Sequence, residues 1–68
     1  MASISSRGVL KDLRGDGWER VRQRGSHVQL RHLVKTGLVT VPHPKKDLPL
    51  GTAAAIYKAA GLTPPWQQ

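Results

Sequence analysis

The stretch RVRQRGSHVQLRH, residues 20–32, contains the side chains best suited to chemistry. Four arginines and two histidines fall within these thirteen residues, around a Gly25-Ser26 pair. A histidine on a strand directly after a tight turn has a fixed main chain and an accessible ring, and an imidazole exchanges protons near neutral pH. His27 is therefore the candidate general base or acid.

Arginine side chains flank His27 on both predicted strands. Arg22, Arg24 and Arg31 could hold a phosphodiester and stabilise the negative charge that develops on it. Together with an imidazole they suit attack of an RNA 2′-hydroxyl on the neighbouring phosphate, a reaction that needs no metal. The alternative is an ordinary exposed turn histidine beside a solvated basic strand, and the spacing alone favours that alternative.

Further candidates lie on the second strand and in the loop HPKKDLPLG. His43, between two prolines, could transfer a second proton or contact a phosphate, although a structural role is at least as plausible. Lys45 and Lys46 precede a predicted helix, whose N-terminus attracts anions. The predicted RNA-binding residues are Arg22, Arg24, Ser26, Gln29, Arg31, His43, Lys45 and Lys46. The histidines have no ligand spacing such as HxxxH and no carboxylate cluster beside them, so we predict no metal site and no cofactor.

Length and charge narrow the class of protein. A chain of 68 residues fits one domain with a thin core, because a domain of about 60 residues buries only roughly 60% of its unfolded surface. The formal net charge is +7, which favours a polyanionic partner: nucleic acid first, an acidic protein second. Cysteine is absent, and neither a signal peptide nor a membrane span is predicted. These features favour a soluble, intracellular protein.

The hydrophobic pattern predicts the order α-β-β-β-α. A first helix, capped by Ser5 or Ser6, precedes three strands and an alanine-rich second helix that Gly61 closes; the strand runs are WERVRQR, HVQLRHL and LVTVP. Trp18 and Val21 have opposite parity, which a bulge would reconcile. We predict an α+β two-layer sandwich: a three-stranded antiparallel sheet with both helices on one face. Trp66, in the tail, is expected to dock on the body.

The sequence resembles the HicA toxins of bacterial HicA–HicB toxin–antitoxin pairs. The matching pieces are LKDLRGDGWERVRQRGSH, VTVPHPKKDLPLGT and IYKAAGL, in the family's order and spacing, and they cover nearly all of 9–62. Residues 25–30 are GSHVQL in this chain and GSHHQF in many relatives, so Val28 and Leu30 stand in place of a second histidine and an aromatic residue. The alanines of the second helix replace bulkier leucines. His27 is untouched by these departures.

The resemblance implies a fold like the double-stranded RNA-binding domain, and a single HicA-like domain over 1–68, with its core at about 5–62 and an extension at 63–68. It implies the toxin of a type II system: a translation-independent mRNA endoribonuclease whose catalytic histidine is His27 and which needs no metal. The expected partners are single-stranded mRNA and a HicB antitoxin. The expected setting is the bacterial cytoplasm, with a monomeric free toxin that forms a hetero-oligomer with its antitoxin.

Two other functions stay open on the sequence. One is a non-catalytic RNA-binding module with a fold like the double-stranded RNA-binding domain, although a pure binder has no need of a histidine at the hairpin turn. The other is a protein-interaction module whose positive face meets an acidic partner. A shared fold does not decide between them, because function resides in the site.

Overall fold

The computed structural model describes residues 4–67 and has the predicted order of elements. The elements are α1 (Ser6–Gly15), β1 (Trp18–Arg24), β2 (His27–His32), β3 (Leu38–Pro42), α2 (Leu50–Ala59) and a short 3-10 helix (Pro65–Gln67). The three strands form one antiparallel sheet in the order β1-β2-β3, and both helices pack on it. The prediction of an α+β sandwich is confirmed. In the described part of the chain, no helix is long and apolar enough to cross a membrane.

Helix α1 begins at a serine cap and buries one stripe. The Ser5 hydroxyl accepts a hydrogen bond from the Gly8 amide at 3.1 Å, so Ser5 is the cap and Ser6 is the first helical residue. A side-chain cap satisfies an amide that the helix itself leaves unpaired. Val9, Leu10 and Leu13 are buried, as their helical spacing predicts.

The Asp16-Gly17-Trp18 turn joins α1 to β1 with little free space. Gly17 has a φ of 106°, and a Cβ atom there would lie 2.8 Å from the His32 ring. Trp18 is 1% exposed and its indole N–H donates to the Ala60 carbonyl at 3.3 Å. The turn therefore needs glycine for both its backbone conformation and its packing.

Strand β1 contains the predicted bulge. Trp18 pairs with His32 and Arg20 with Leu30, but the register then shifts, so that Arg22 pairs with Gln29. Val21 is the extra residue and is 56% exposed. A bulge lets one strand present side chains on opposite faces before and after it, which explains how Trp18 reaches the core.

Helix α2 packs through a stripe of small and large residues. Ala53, Ile56, Tyr57 and Ala60 are all buried, and their spacing of i, i+3, i+4 and i+7 puts them on one side of the helix. The helix begins at Leu50 after Pro49 and has no side-chain cap. Thr52 lies inside the helix and does not cap it.

The C-terminal segment docks on the helices. The rings of Trp66 and Tyr57 meet edge to face with centroids 5.6 Å apart, which confirms the predicted docking of Trp66. The Tyr57 hydroxyl donates to the Asp12 carboxylate. Burial, together with the hydrogen bond to the negative charge of Asp12, raises the pKa of Tyr57.

The two tryptophans provide a paired test of the core. We expect Trp18→Ala to lower the free energy of unfolding by about 3–5 kcal/mol, since it removes a fully buried ring. Trp66 is 40% exposed and has one aromatic neighbour, so Trp66→Ala should cost about 0.5–1.5 kcal/mol. Urea unfolding followed by circular dichroism measures both values. Equal losses would contradict this assignment of the core.

The Asp16–Lys35 ion pair should make stability depend on pH. The Lys35 ammonium lies 2.6 Å from the Asp16 carboxylate and lowers the pKa of that carboxyl. Because the pKa is lower in the folded chain than in the unfolded one, the stabilisation is present above the unfolded value of about 3.9 and is lost as the pH falls through the folded value.

We therefore expect Asp16→Asn to reduce stability at pH 7 and to lose less on acidification than the wild type. Asp47→Asn is the control, because Asp47 is exposed and forms no ion pair with the described residues. Urea unfolding at neutral and acidic pH measures the difference. Parallel pH profiles for Asp16→Asn and Asp47→Asn would contradict the role of the pair.

Candidate functional site

His27 lies at the start of β2 on the open face of the sheet. It is exposed, and it pairs with Arg24 of β1 on one side and with Pro42 of β3 on the other. The turn before it has a φ of 57° at Gly25 and no positive φ at Ser26, which is the pattern of a type II′ turn. The hairpin therefore fixes the main chain of His27, as the sequence predicts.

The bulge at Val21 places two arginines on the face of His27. Without it, residues 18, 20, 22 and 24 would all point to one side of the strand. With it, Arg20 lies opposite the buried Leu30, whereas Arg22 and Arg24 lie opposite Gln29 and His27. Directly opposed residues project from the same face of a sheet, so both arginines join His27.

The open sheet face, defined here by His27 and its neighbours, is strongly basic. Its predicted members Arg22, Gln29 and Arg31 line one shallow groove together with Val21 and Leu38. Glu19, opposite Arg31, is its acidic side chain. Four of the predicted RNA-binding residues are thus on one surface with His27; they are Arg22, Arg24, Gln29 and Arg31.

A second groove meets His27 from the side of α2. It runs between β3 and α2, has a volume of about 520 Å³ and carries no charged side chain. Thr40 and Thr52 supply its hydroxyls, and small residues of α2, Ala55 among them, leave it open. His27 therefore lies where a cationic surface meets an uncharged groove.

His43 lies on the other side of the sheet from this face. Its Nδ1 atom is 2.6 Å from the hydroxyl of Ser6, the first residue of α1 and 1% exposed. The Ser6 hydroxyl also accepts from the Lys45 amide at 2.9 Å, and the Ser6 amide donates to the Lys45 carbonyl at 2.9 Å. Ser6 thus anchors the loop after β3 to α1.

Ser26 contributes to this arrangement through its main chain. Its carbonyl accepts from the His43 amide at 2.7 Å, which ties the hairpin turn to the loop after β3. Lys45 and Lys46 are exposed, but α2 begins only at Leu50. The main chain of Lys45 contacts Ser6, the first residue of α1, whereas the sequence predicted that the lysine pair lies at the start of α2.

His32 is structural. Its Nδ1 accepts from the amides of Val34 and Lys35 at 3.0 and 3.1 Å, and its Nε2 donates to the Asp16 carbonyl at 2.6 Å. The ring also packs edge to face on Trp18, with centroids 5.3 Å apart. Both ring nitrogens of His32 are therefore occupied by hydrogen bonds to the backbone.

Four basic residues near His43 are not among the binding residues that the sequence predicts. Arg7, Lys11 and Arg14 of α1 and Arg20 of β1 line a groove with His43 and Leu10. The spacing i, i+4, i+7 places the three helix residues on one face, and this signal is visible in the sequence. Arg20 lines this groove, and not the face of His27, because it precedes the bulge that turns Arg22 and Arg24 to the other side.

No metal centre is evident in residues 4–67, since they hold no group of three or more histidine, cysteine or acidic side chains that could bind an ion. The site is thus an exposed histidine on a basic sheet face of a small α+β domain.

The family model described as the HicA toxin of bacterial toxin–antitoxin systems matches residues 6–62. The chain therefore belongs to the HicA toxin family. It is the toxin of a bacterial toxin–antitoxin system, and such a system implies an antitoxin partner. No curated protein matches the chain.

Two neighbouring serines test the anchoring of the loop. Ser6→Ala removes the acceptor of the Lys45 amide and the partner of the His43 ring, and should cost about 1–3 kcal/mol. Ser5→Ala removes only the helix cap and should cost about 0.5–2 kcal/mol. We expect Ser6→Ala alone to shift the ring ¹⁵N resonances of His43. Unchanged His43 resonances in both variants would contradict the anchor.

Proposed function

We propose that this toxin is an endoribonuclease that cleaves single-stranded mRNA independently of translation, with His27 as its proton-transfer group. The observation that carries the proposal is the placement of His27: exposed, fixed by the hairpin turn, and paired with Arg24 on a basic sheet face. Membership of a toxin family supports a harmful activity for this surface.

The reaction uses the RNA's own nucleophile. His27 removes the proton of a 2′-hydroxyl, and that oxygen attacks the adjacent phosphorus. The bond from phosphorus to the 5′-oxygen breaks, leaving a cyclic 2′,3′-phosphate on one fragment and a 5′-hydroxyl on the other. Arg22 and Arg24 stabilise the negative charge on the phosphoryl oxygens. The scheme consumes no cofactor.

The leaving 5′-oxygen must also gain a proton. Besides His27, the titratable side chains of the open sheet face are arginines and Glu19, which lies opposite Arg31 at the far end of the strand pair. Arginine stays protonated and donates no proton to a leaving group. Within the described residues, this leaves water or the protonated His27 itself as the nearest source. His43 and Lys45 remain the further candidates from the loop.

The uncharged groove beside His27 suits a nucleobase next to the scissile phosphate. Single-stranded RNA exposes base faces and edges to protein side chains. The groove offers apolar walls and the Thr40 and Thr52 hydroxyls, beside the point where the phosphate meets His27. The phosphate and the base would thus contact different surfaces of the domain.

We further propose a HicB-type antitoxin that covers the open sheet face in the bacterial cytoplasm, forming a hetero-oligomer with an otherwise monomeric toxin. Leu33 and Val34, in the loop after β2, are 95% and 83% exposed, and Leu38 is 49% exposed. Exposed apolar residues beside a functional face mark interaction sites. These residues lie at the end of β2 opposite to His27, so an antitoxin that extended from them along the whole face would also cover His27.

A non-catalytic RNA-binding module is the second candidate. One observation favours it: among the described residues, no hydrogen bond orients the ring of His27. Catalytic hydrogen bonds are often long or absent before the substrate binds, so the endoribonuclease stays the stronger proposal. The same assay distinguishes the two functions.

The deciding experiment compares wild type, His27→Ala and His27→Gln on a single-stranded RNA with EDTA present. General acid–base catalysis contributes about 10²–10⁴-fold, so both variants should lose at least about 100-fold in cleavage rate. Glutamine keeps hydrogen bonding but transfers no proton, so it separates catalysis from contact. Unfolding curves of all three proteins control for stability.

Cleavage by His27→Ala at the wild-type rate would refute the role of His27. Binding without cleavage by the wild type would support the second candidate instead. Loss of wild-type activity in EDTA, restored by a divalent ion, would contradict the metal-independent scheme. A substrate with a single 2′-deoxynucleotide at the cleavage position should resist cleavage, because it lacks the nucleophile.

A further inference from the structure

A second basic surface lies on the helix side of the sheet. We call it the α1–β1 groove, lined by Arg7, Leu10, Lys11, Arg14, Arg20 and His43. Leu10 is 5% exposed and forms the floor, while the four cationic side chains are exposed. None of these four belongs to the open sheet face or to the reaction proposed above.

The sequence builds this groove from two elements. Arg7, Lys11 and Arg14 project from one face of α1 by their spacing. Arg20 reaches the same side because it lies opposite Leu30, before the bulge. Its guanidinium donates to Gln23, whose amide in turn donates to the Gly25 carbonyl at 3.0 Å. Arg20 is thereby oriented from the hairpin.

The positive charge of the groove is not neutralised by the described protein. Within residues 4–67 the ion pairs all involve Asp16, whose partners are Lys35 and His32. Asp12, also on α1, accepts a hydrogen bond from Tyr57. Four cations around one groove repel each other, and an anion that enters relieves this repulsion.

The ring of His43 adds a fixed donor. The Ser6 hydroxyl accepts from the Lys45 amide, and within the described residues the acceptor for its own hydrogen is His43 Nδ1, at 2.6 Å. With Nδ1 assigned as the acceptor, the ring carries its proton on Nε2. Because His43 also lines the groove, we assign this Nε2–H as a donor to a ligand there.

We infer that the α1–β1 groove binds the phosphate backbone of RNA outside the cleavage site. The inference rests on the proposed ribonuclease function. Guanidinium, ammonium and imidazole donors together match phosphate oxygens. The centre of a protein interface would instead be apolar and depleted of charge, whereas the one apolar residue lining this groove, Leu10, is buried.

The two basic surfaces meet at the end of the hairpin. The His43 amide donates to Ser26 at 2.7 Å, and the next residue after Ser26 is His27. A strand that contacts His27 therefore reaches the α1–β1 groove by crossing this end of the sheet. The groove would hold the part of the substrate that leaves the site, which adds affinity without reading sequence.

Two lysines provide a matched test. Lys11 lies in the groove, while Lys58 lines a different groove, beside Leu62 and Pro64; both are exposed helix residues. Lys11→Gln and Lys58→Gln change the net charge equally. Each is made in the full chain with His27→Ala, so that RNA is bound and not cleaved. The probe is a fluorescent RNA of about 12 nucleotides, within the usual site sizes of about 4–16.

We expect Lys11→Gln to reduce the slope of log affinity against log salt by about 0.7, and the further change Arg14→Gln to reduce it by about 0.7 again. If the affinities of the variant and the parent converge near 1 M salt, a slope change of about 0.7 corresponds to about fourfold weaker RNA binding per lost contact at about 0.15 M salt. Lys58→Gln should keep the parental slope. Thermal unfolding confirms that all variants fold.

Equal slopes for Lys11→Gln and Lys58→Gln would overturn the inference, because only net charge would then matter. Parental RNA affinity in the groove variants, with loss of antitoxin binding, would overturn it in favour of an acidic protein. RNA binding absent from the His27→Ala protein would also overturn it. Groove-dependent binding by a wild type that never cleaves would support the groove and refute the ribonuclease, so the two failures are distinguishable.

Discussion

The bulge at Val21 is the constraint on which the site depends. A regular strand would send Arg22 and Arg24 to the same side as Trp18. The core needs Trp18 inside, since its ring closes the α1–β1 turn and its indole bonds to the end of α2. One extra residue allows both placements. Trp18, before the bulge, points into the core, and Arg22 and Arg24, after it, lie on the same face as His27. The same residue leaves Arg20 on the helix side, so the bulge assigns the arginines of one strand to two surfaces.

Ser6 has a comparable role among the loops. Its main chain and side chain together bond to Lys45 and His43, far away in sequence. The loop after β3 has little regular structure of its own, and its carbonyl and amide groups need partners. A buried hydroxyl at the first turn of α1 provides them. The ring of His43 is therefore held by α1, while its main chain is held by the hairpin turn at Ser26.

The elements were largely predictable and the contacts across them were not. The runs WERVRQR and LVTVP coincide with β1 and β3, and parity alone indicated the bulge, because alternation along a strand is a local property. The pairing of Ser6 with His43 joins residues that no local pattern relates. The spacing of the basic residues on α1 predicts one basic helix face. That this face forms a groove together with Arg20 was not predictable, because the side on which Arg20 lies follows from the bulge. Strand alternation predicts the face of the sheet on which His27 lies. The side of the sheet on which His43 lies became known only from the structure, because His43 is in a loop.

The thinness of the domain explains how one small chain carries two separate basic surfaces. Its shortest dimension is 17 Å, about two Debye lengths at physiological salt. Charges on the outer surfaces of the two sides are therefore largely screened from one another, except at the hairpin end, where the two surfaces meet. The helices cover only one face, so neither basic surface is buried by the core. In the proposed complex, a phosphate would be held by the cations within a few ångströms of it, so the placement of the arginines around the bulge would decide which phosphates the chain contacts.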